Sequence, residues 1–271
     1  MIARIATWRG PSEYDGTSIT AYLAEHENTK TGPVMGLIVA PSTGSYWQHR
    51  KEGTDSAVCG KCPLSIDKTC YVGNGSNVGM GVQTTLKKLE GAPIYTASLA
   101  NWLRGTGRRV LRSAVWGDAA ALPKLAWLRI ENAARSAGMD ILGYTHGHLT
   151  LGYDRIEHLR STHVVSADSI EEANEAVRQD WRYFRVAPVG TVPHYSLEFA
   201  CPASAERNHS TTCNQCLACG SVGNSSGRKN VTIWKHDSLS ASAARRHLAS
   251  LRIGQQHDSQ SVVASAQGTP G

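Results

Sequence analysis

Pro33-Val34-Met35-Gly36-Leu37-Ile38-Val39-Ala40-Pro41 is an unbroken apolar run closed at both ends by proline. An apolar run of strand length, without polar alternation, predicts a strand buried on both faces, as in parallel sheets. On its C-terminal side comes a loop opening Val58-Cys59-Gly60-Lys61-Cys62-Pro63, then a helix over 78–89. Further strands are predicted at 109–115, 141–144, 163–167, 183–187 and 231–234. Between them one helix opens at Pro123, with Ala126, Ile130, Ala133 and Ala137 on one face and Gly138 as its stop. Another opens at Ser169, with Glu172 at capping-box spacing and Ile170, Ala173, Val177 and Trp181 as its buried stripe. About six alternations of strand and helix predict an α/β protein whose parallel sheet is open or closed into a partial barrel.

Outside this body, residues 1–32 are polar and turn-rich and predict a small N-terminal cap or hairpin. The body spans 33–236, and the connection 187–229 within it is too long for an ordinary loop. It holds four cysteines, so a metal-organised segment is predicted over 198–228. The remainder, 237–271, predicts a basic amphipathic helix over 240–252, carrying Arg245, Arg246, His247 and Arg252, and then a disordered tail rich in Ser, Gln and Gly.

A chain of 271 residues that is 41% hydrophobic can bury a real core, which excludes a wholly disordered protein. Its net charge of +6 permits a nucleotide or nucleic-acid partner without demanding one. The aromatic residues are scattered and offer no stacking platform for single strands. The longest apolar run is too short to span a bilayer, and Met1-Ile2-Ala3-Arg4 lacks the order of a signal peptide, so a soluble cytoplasmic protein without a membrane partner is predicted.

Seven cysteines fall into two tight groups, an odd number that argues against a disulfide scaffold and for metal. Cys213-Asn-Gln-Cys216-Leu-Ala-Cys219 wraps three thiolates around one short loop, and Cys201 can supply the fourth. Such a set suits a 4Fe-4S cluster or a closed tetrahedral zinc. Cys59, Cys62 and Cys70 supply only three, so a four-iron cluster there keeps one iron open to chemistry. The competing readings are zinc on three cysteines plus a histidine such as His49, or one composite site shared by the two groups. His146 and His148, at a strand end, are candidates for substrate or metal binding or for general acid-base work.

Taken together, Asn28-Thr29-Lys30-Thr31, Val58-Cys59-Gly60-Lys61-Cys62-Pro63, Cys70-Tyr71-Val72, Gly117-Asp118, and Cys201-Pro202-Ala203-Ser204 with the Cys213, Cys216 and Cys219 loop resemble the gene-product-88-like family of phage proteins. The likeness covers roughly residues 28–236. That family in turn resembles a divergent branch of the radical S-adenosylmethionine (SAM) enzymes. The resemblance implies a partial (βα)6 barrel with a Cys-rich C-terminal insertion. It further implies a 4Fe-4S cluster on Cys59, Cys62 and Cys70, with SAM chelating the open iron. Trp116-Gly117-Asp118 would receive the SAM amino group, Ser166 and Asp168 would meet the ribose, and Arg185 or Val186 would lie near the adenine. Cys201, Cys213, Cys216 and Cys219 would hold a second cluster.

The implied activity is reduction of SAM to a 5′-deoxyadenosyl radical that takes hydrogen from a substrate, for which a nucleotide or nucleic acid is a candidate, with electrons from a separate donor in the host cytoplasm. The gaps of two and seven residues between the first three cysteines differ from the usual spacing of those enzymes. Without the resemblance, Gly117-Asp118 reads as a turn, and Ser166 and Asp168 as caps of the next helix. The rival function is a non-catalytic binding protein stabilised by zinc or inert clusters, its basic surface contacting DNA or another phage protein.

Overall fold

The structure is a computed structural model that describes residues 3–70, 72, 76–194, 196–220 and 229–235. Within them nine strands form one sheet: β1 (Arg4–Pro11), β2 (Ser18–His26), β3 (Val34–Pro41), β4 (Val110–Trp116), β5 (Asp140–Thr145), β6 (His163–Ala167), β7 (Tyr183–Ala187), β8 (Glu198–Ala200) and β9 (Asn230–Trp234). Their order is β1-β2-β3-β4-β5-β6-β7-β9-β8. β1, β2 and β3 pair antiparallel, and every pairing from β3 onward is parallel. The protein is therefore α/β, with a mostly parallel sheet that stays open between its edges, β1 and β8.

All eight residues of β3 are buried, as the proline-bounded apolar run demands. Residues 1–32, expected as a cap or hairpin, do contribute a hairpin, but it belongs to the main sheet: β2 pairs with β3 from Ile19↔Pro41 to His26↔Val34. The reason is edge protection. Without β2, the apolar β3 would present a bare row of backbone groups to water.

The helices are α1 (Tyr46–Glu52), α2 (Ser56–Cys59), α3 (Pro63–Ile66), α4 (Asn77–Lys88), α5 (Leu99–Gly105), α6 (Lys124–Ser136), α7 (His148–Leu151), α8 (Tyr153–Ile156), α9 (Ile170–Arg178) and α10 (Cys213–Cys216). In α6 the buried face is Ala126, Trp127, Ile130, Glu131 and Ala134, so Ala133 and Ala137 fall at its margin. In α9, Ser169 Oγ accepts from Glu172 N at 3.1 Å, while the Glu172 carboxylate accepts from Asp168 N at 2.9 Å instead of closing the box on Ser169. Of the stripe expected for α9, Ala173 and Trp181 are buried, whereas Ile170 and Val177 are 46% and 47% exposed and Ala176 joins Ala173 against the sheet. Two small side chains at i and i+3 let the helix lie close to the strands.

From β3 to β7 each parallel strand pairs with its predecessor in sequence. α1 and α4 pack through Tyr46, Val82 and Leu86 against Ile38, Ala40 and Trp116, and α5, α6 and α9 lie on the opposite face. On that face Leu37, Leu111, Ile141, Val165 and Tyr183 pack with Trp127 and Ile130 of α6 and Ala173 of α9. On the other, Val110, Leu142, Val164, Phe184, Val231 and Ile233 pack with Cys201, Cys213 and Cys219.

β4 breaks its ladder near its end. Gly36 pairs with Arg112 and Ile38 with Trp116, so three residues of β4 oppose one of β3, and Ala114 takes φ +61°. Such a bulge re-aims side chains, commonly beside a site. Among the described residues, no helix is long and apolar enough to cross a membrane. The predicted helix over 240–252, the tail, Tyr71 and residues 221–228 lie outside the described residues.

Candidate functional site

The first cysteine group is built by short-range bonds. Cys59 closes α2 with its N–H donating to Asp55 O at 2.8 Å, and Gly60 turns the chain at φ +56°. Lys61 N then donates to Thr150 Oγ1 at 2.9 Å, which pins the loop to α7. Cys62 stands just before Pro63, the first residue of α3, and Cys70 N returns to Leu64 O at 2.9 Å. Beneath them the buried Asp55 carboxylate accepts from Arg50 Nη1 at 2.8 Å and Ser65 Oγ at 2.7 Å, bracing α1, α2 and α3 together.

The loop so formed presents Cys59, Cys62 and Cys70 to one cavity of about 390 Å³, within the range of about 300–1,000 Å³ usual for small-molecule sites. Much of the remaining wall comes from strand ends: Trp116 closing β4 and Gly117 after it, His146 after β5, Ser166 on β6, Val186 on β7 and Trp234 on β9. Burial pushes the Cys59 thiol well up, and Asp55, Cys62 and Cys70 add to the rise. Burial raises Cys70 too, against a bond from the Val72 backbone, with Cys62 adding. Neighbouring thiols whose ionisation is opposed, as at Cys59 and Cys70, become thiolates together only around a cationic centre.

Of the residues singled out in the sequence, Gly117, Asp118, Ser166, Val186 and His146 line the cavity. Asp118 is heavily used by the fold. Its Oδ1 accepts from Ala120 N at 2.9 Å, and its Oδ2 from Thr145 Oγ1 at 3.0 Å and His146 N at 2.8 Å. Its own N–H donates to Val58 O at 2.7 Å, so one residue ties the ends of β4 and β5 to α2. Burial raises its pKa, with the Ala120 and His146 N–H groups and the Thr145 hydroxyl working against the rise.

Gly117 is required where it stands, because φ is +75° and a Cβ would lie 2.3 Å from Val39 O. Gly117→Ala is expected to destabilise by about 2–3 kcal/mol, read as a lower urea midpoint. An unchanged midpoint would mean that this corner of the cavity can yield.

Asp168 does not line the cavity; its Oδ2 lies 2.9 Å from His146 Nε2. His146 also bonds the Cys62 side chain. Burial lowers the His146 pKa, but the bonds to Asp168 and Cys62 outweigh it and lift the ring to about 10. Arg185 is absent from the lining and pairs with Glu198 on β8. His148 is also absent from it: its ring stacks with His146 at 6.5 Å and lies 5.2 Å from Tyr153. Burial, then the charge of His146, lowers it to about 4.

His49 cannot complete a zinc site with the three thiols. Its Nδ1 lies 2.7 Å from Thr54 Oγ1 and its Nε2 2.7 Å from Thr43 O, so α1 turns the ring back onto its own flanking loops. The histidine at the thiols is His146. The cavity wall also includes Arg112, Tyr144 and Phe184, which the sequence reading passed over as site candidates; Lys30 and Trp116, both within motifs quoted there, line it as well. Trp116 Nε1 is buried and has no hydrogen-bond partner among the described residues.

The second group sits against the sheet face opposite the main helix layer. Thr212 and Gln215 close a capping box around α10, Leu217 takes φ +55°, and the chain turns so that Cys219 O accepts from Gly143 N at 3.3 Å. Cys201 N donates to Thr232 O at 2.8 Å, and Cys213 N to Lys30 O at 2.9 Å. All four cysteines line a small cavity with Leu142, Phe199 and Val231. Burial pushes Cys201 up to about 11, with Lys30 working against it and Cys213 adding. Burial pushes Cys219 up to about 12; Cys201 adds, and a bond from the Tyr144 hydroxyl works against it.

Tyr144 and Cys213 line both cavities and so form the partition between them. All seven cysteines are free thiols. Among the described residues, no three His, Cys, Asp or Glu side chains are grouped as the ligands of one metal ion. Compared with protein-family models, with curated proteins and with solved structures, the chain finds no match.

Proposed function

We propose that the chain is a phage-type iron-sulfur protein of the radical SAM kind, with a partial βα barrel, a 4Fe-4S cluster on Cys59, Cys62 and Cys70, and a second cluster on Cys201, Cys213, Cys216 and Cys219. The observation that carries this reading is that three cysteines, Gly117, Ser166 and Val186, from the loop after β3 and from successive strands, line one cavity of about 390 Å³. Strand C-terminal ends are where parallel barrels and sheets hold their ligands. The sequential order β3-β4-β5-β6-β7 with β9 beside β7 is the order a partial barrel needs.

The residues fit the group in two respects. The raised Cys59 and Cys70 thiols call for cationic metal, and Trp116 Nε1 on the wall, without a partner among the described residues, is a donor for a bound molecule. A cluster suits the thiols better than single ions do. Four sulfurs around one zinc would crowd to about 3.8 Å from one another, given Zn–S bonds of about 2.3 Å, whereas a cluster several ångströms across holds its ligands apart. Cys59, Cys62 and Cys70 would hold the cluster, whose chemistry there would be one-electron reductive cleavage of SAM to methionine and a 5′-deoxyadenosyl radical.

The chain's own part is placement and exclusion of water. Gly117 leaves its wall without a side chain, and Asp118 holds that turn against β5 and α2. Ser166 offers a hydroxyl, and Val186, Phe184 and Ile233 keep the interior apolar. His146, held by Asp168, keeps a proton beside Cys62. The chain has no reductant of its own in this reading, so an external electron donor completes it.

Iron, sulfide and zinc content of anaerobically purified protein, its visible spectrum, and 5′-deoxyadenosine formation with SAM and dithionite test the reading. About eight irons per chain with charge-transfer absorbance and SAM cleavage is the expected result. Stoichiometric zinc with neither colour nor cleavage would overturn it in favour of the metal-stabilised binding protein. Iron without cleavage would remove the radical chemistry and leave the clusters.

A further inference from the structure

We infer that the indole N–H of Trp116 donates a hydrogen bond to a sulfur of the cluster on Cys59, Cys62 and Cys70, and so sets how readily that cluster accepts an electron. The inference deepens the proposed function, on which it rests for the presence of iron.

Trp116 closes β4 just after the bulge and is 3% exposed. Its Nε1 is buried, and no acceptor among the described residues takes its proton. A buried donor left without a partner costs about 1–3 kcal/mol. A residue serving packing alone would avoid that cost as phenylalanine, so the N–H calls for an acceptor that binding supplies.

The polar neighbours of the indole are committed to the fold. The Tyr46 ring meets Trp116 edge-on at 4.8 Å, but its hydroxyl donates to Val72 O. The His49 ring lies 6.5 Å from that of Trp116, with its nitrogens held at Thr54 Oγ1 and Thr43 O. Asp118, the only carboxylate among the described lining residues, already accepts from Ala120 N, Thr145 Oγ1 and His146 N.

The two ends of the cavity belong to different parts of the core, and this places the stranded donor. Trp116 is packed with Tyr46, Val72 and Val82 in the apolar cluster that Cys59 and Cys70 adjoin. Phe184, Ile233 and Cys213, at the other end, belong to a separate cluster. The indole therefore stands at the thiol end, where metal-bound sulfur is the acceptor that loading would bring. Such sulfurs carry negative charge, and a bond to a charged acceptor is stronger than one between neutral groups. Each electron added makes the sulfurs better acceptors, so a donor held against them favours the reduced cluster and raises its potential.

Two measurements on the anaerobic full-length protein, both without SAM, test this apart from any radical chemistry. The signal of the three-cysteine cluster is identified as the one that Cys62→Ala loses. First, pulsed electron-nuclear double resonance is recorded on dithionite-reduced protein made with tryptophan carrying nitrogen-15 in its indole. A coupling to that nitrogen is expected in the wild type. Second, a redox titration compares the wild type with Trp116→Phe, which keeps an aromatic ring and removes the N–H. With iron content unchanged, the variant's reduction equilibrium is expected to shift tenfold or more toward the oxidised form, a fall of about 59 mV for one electron. Absence of the coupling in iron-loaded wild type overturns the inference alone, whether or not the variant folds. So does a folded, iron-loaded Trp116→Phe protein with the wild-type potential, which would assign the indole to packing. A difference in potential that appears only after SAM is added also overturns it and places the N–H on SAM. Stoichiometric zinc in place of iron would overturn the inference together with the reading on which it rests.

Discussion

Cys62→Ala is expected to lower iron from about eight to about four per chain and to reduce 5′-deoxyadenosine formation to background, while the thermal midpoint moves by no more than about 2 °C. Cys62 is the right residue for this test because its thiol belongs to the cavity more than to the core. Cys59 packs against two hydrophobic clusters and Cys70 against one, and Cys62 against none. Removing a half-buried sulfur that meets chiefly His146 therefore spares packing. Cys216→Ala is the contrast. Its loop closes the sheet face on which Leu142, Phe184 and Val231 pack, so loss of that centre should cost stability as well as metal. Equal unfolding by both substitutions would assign both groups a structural role, and retention of full iron and cleavage by Cys62→Ala would remove the three-cysteine site altogether.

The parallel strands were legible because burial on both faces leaves short runs dominated by apolar and β-branched residues, and β6 and β7 begin and end where the runs do. β8 was not legible: three residues, Glu198-Phe199-Ala200, carry a charge that the interior neutralises with an arginine from elsewhere. α9 was recognised and half of its stripe was read rightly, in Ala173 and Trp181, but Ala176 takes the place expected of Ile170 and Val177, since Ala173 and Ala176 permit an approach that larger residues would block. The cysteine groups were visible from spacing alone because each is local in sequence. The partner of Cys62 was not local. Choosing His146 over His49 requires knowing that the end of β5 abuts the loop after α2, a long-range fact carried by Asp118 bonding both. Likewise, which of Arg185 and Val186 looks into the cavity depends on the parity of a strand buried on both sides, where alternation leaves no trace.

Glu198→Ala is expected to destabilise the protein by about 3–5 kcal/mol, the usual cost of stranding one charge of a buried pair. Glu198 is 0% exposed, and its two oxygens take Arg185 Nε and Nη2, each at 2.7 Å. Tyr183 Oη at 2.9 Å and His194 N at 3.0 Å donate to it as well. β8 touches the sheet only through β9, so this carboxylate, reaching past β9 to β7, is what anchors it. Cys201 follows directly on β8, and the four-cysteine centre should therefore lose metal to a chelator sooner in the variant than in the wild type.

Replacing both charges, as in Arg185→Met with Glu198→Leu, should recover part of the loss but not all, because the Tyr183 hydroxyl and His194 N–H would still lack an acceptor. The pH dependence carries the same signature. Burial alone would raise the Glu198 pKa, but the bonds from Arg185, His194, Thr232 and Tyr183 outweigh it and hold the carboxyl at about 2. A pKa depressed on folding gives stability that is complete above the unfolded value, about 4.3, and is lost as pH falls toward 2. Urea midpoints measured from pH 7 down to pH 2.5 should therefore fall less steeply in Glu198→Gln than in the wild type below about pH 4.3. Parallel acid limbs in the two proteins would show that the Arg185 pair contributes nothing to holding β8, and with it Cys201, in place.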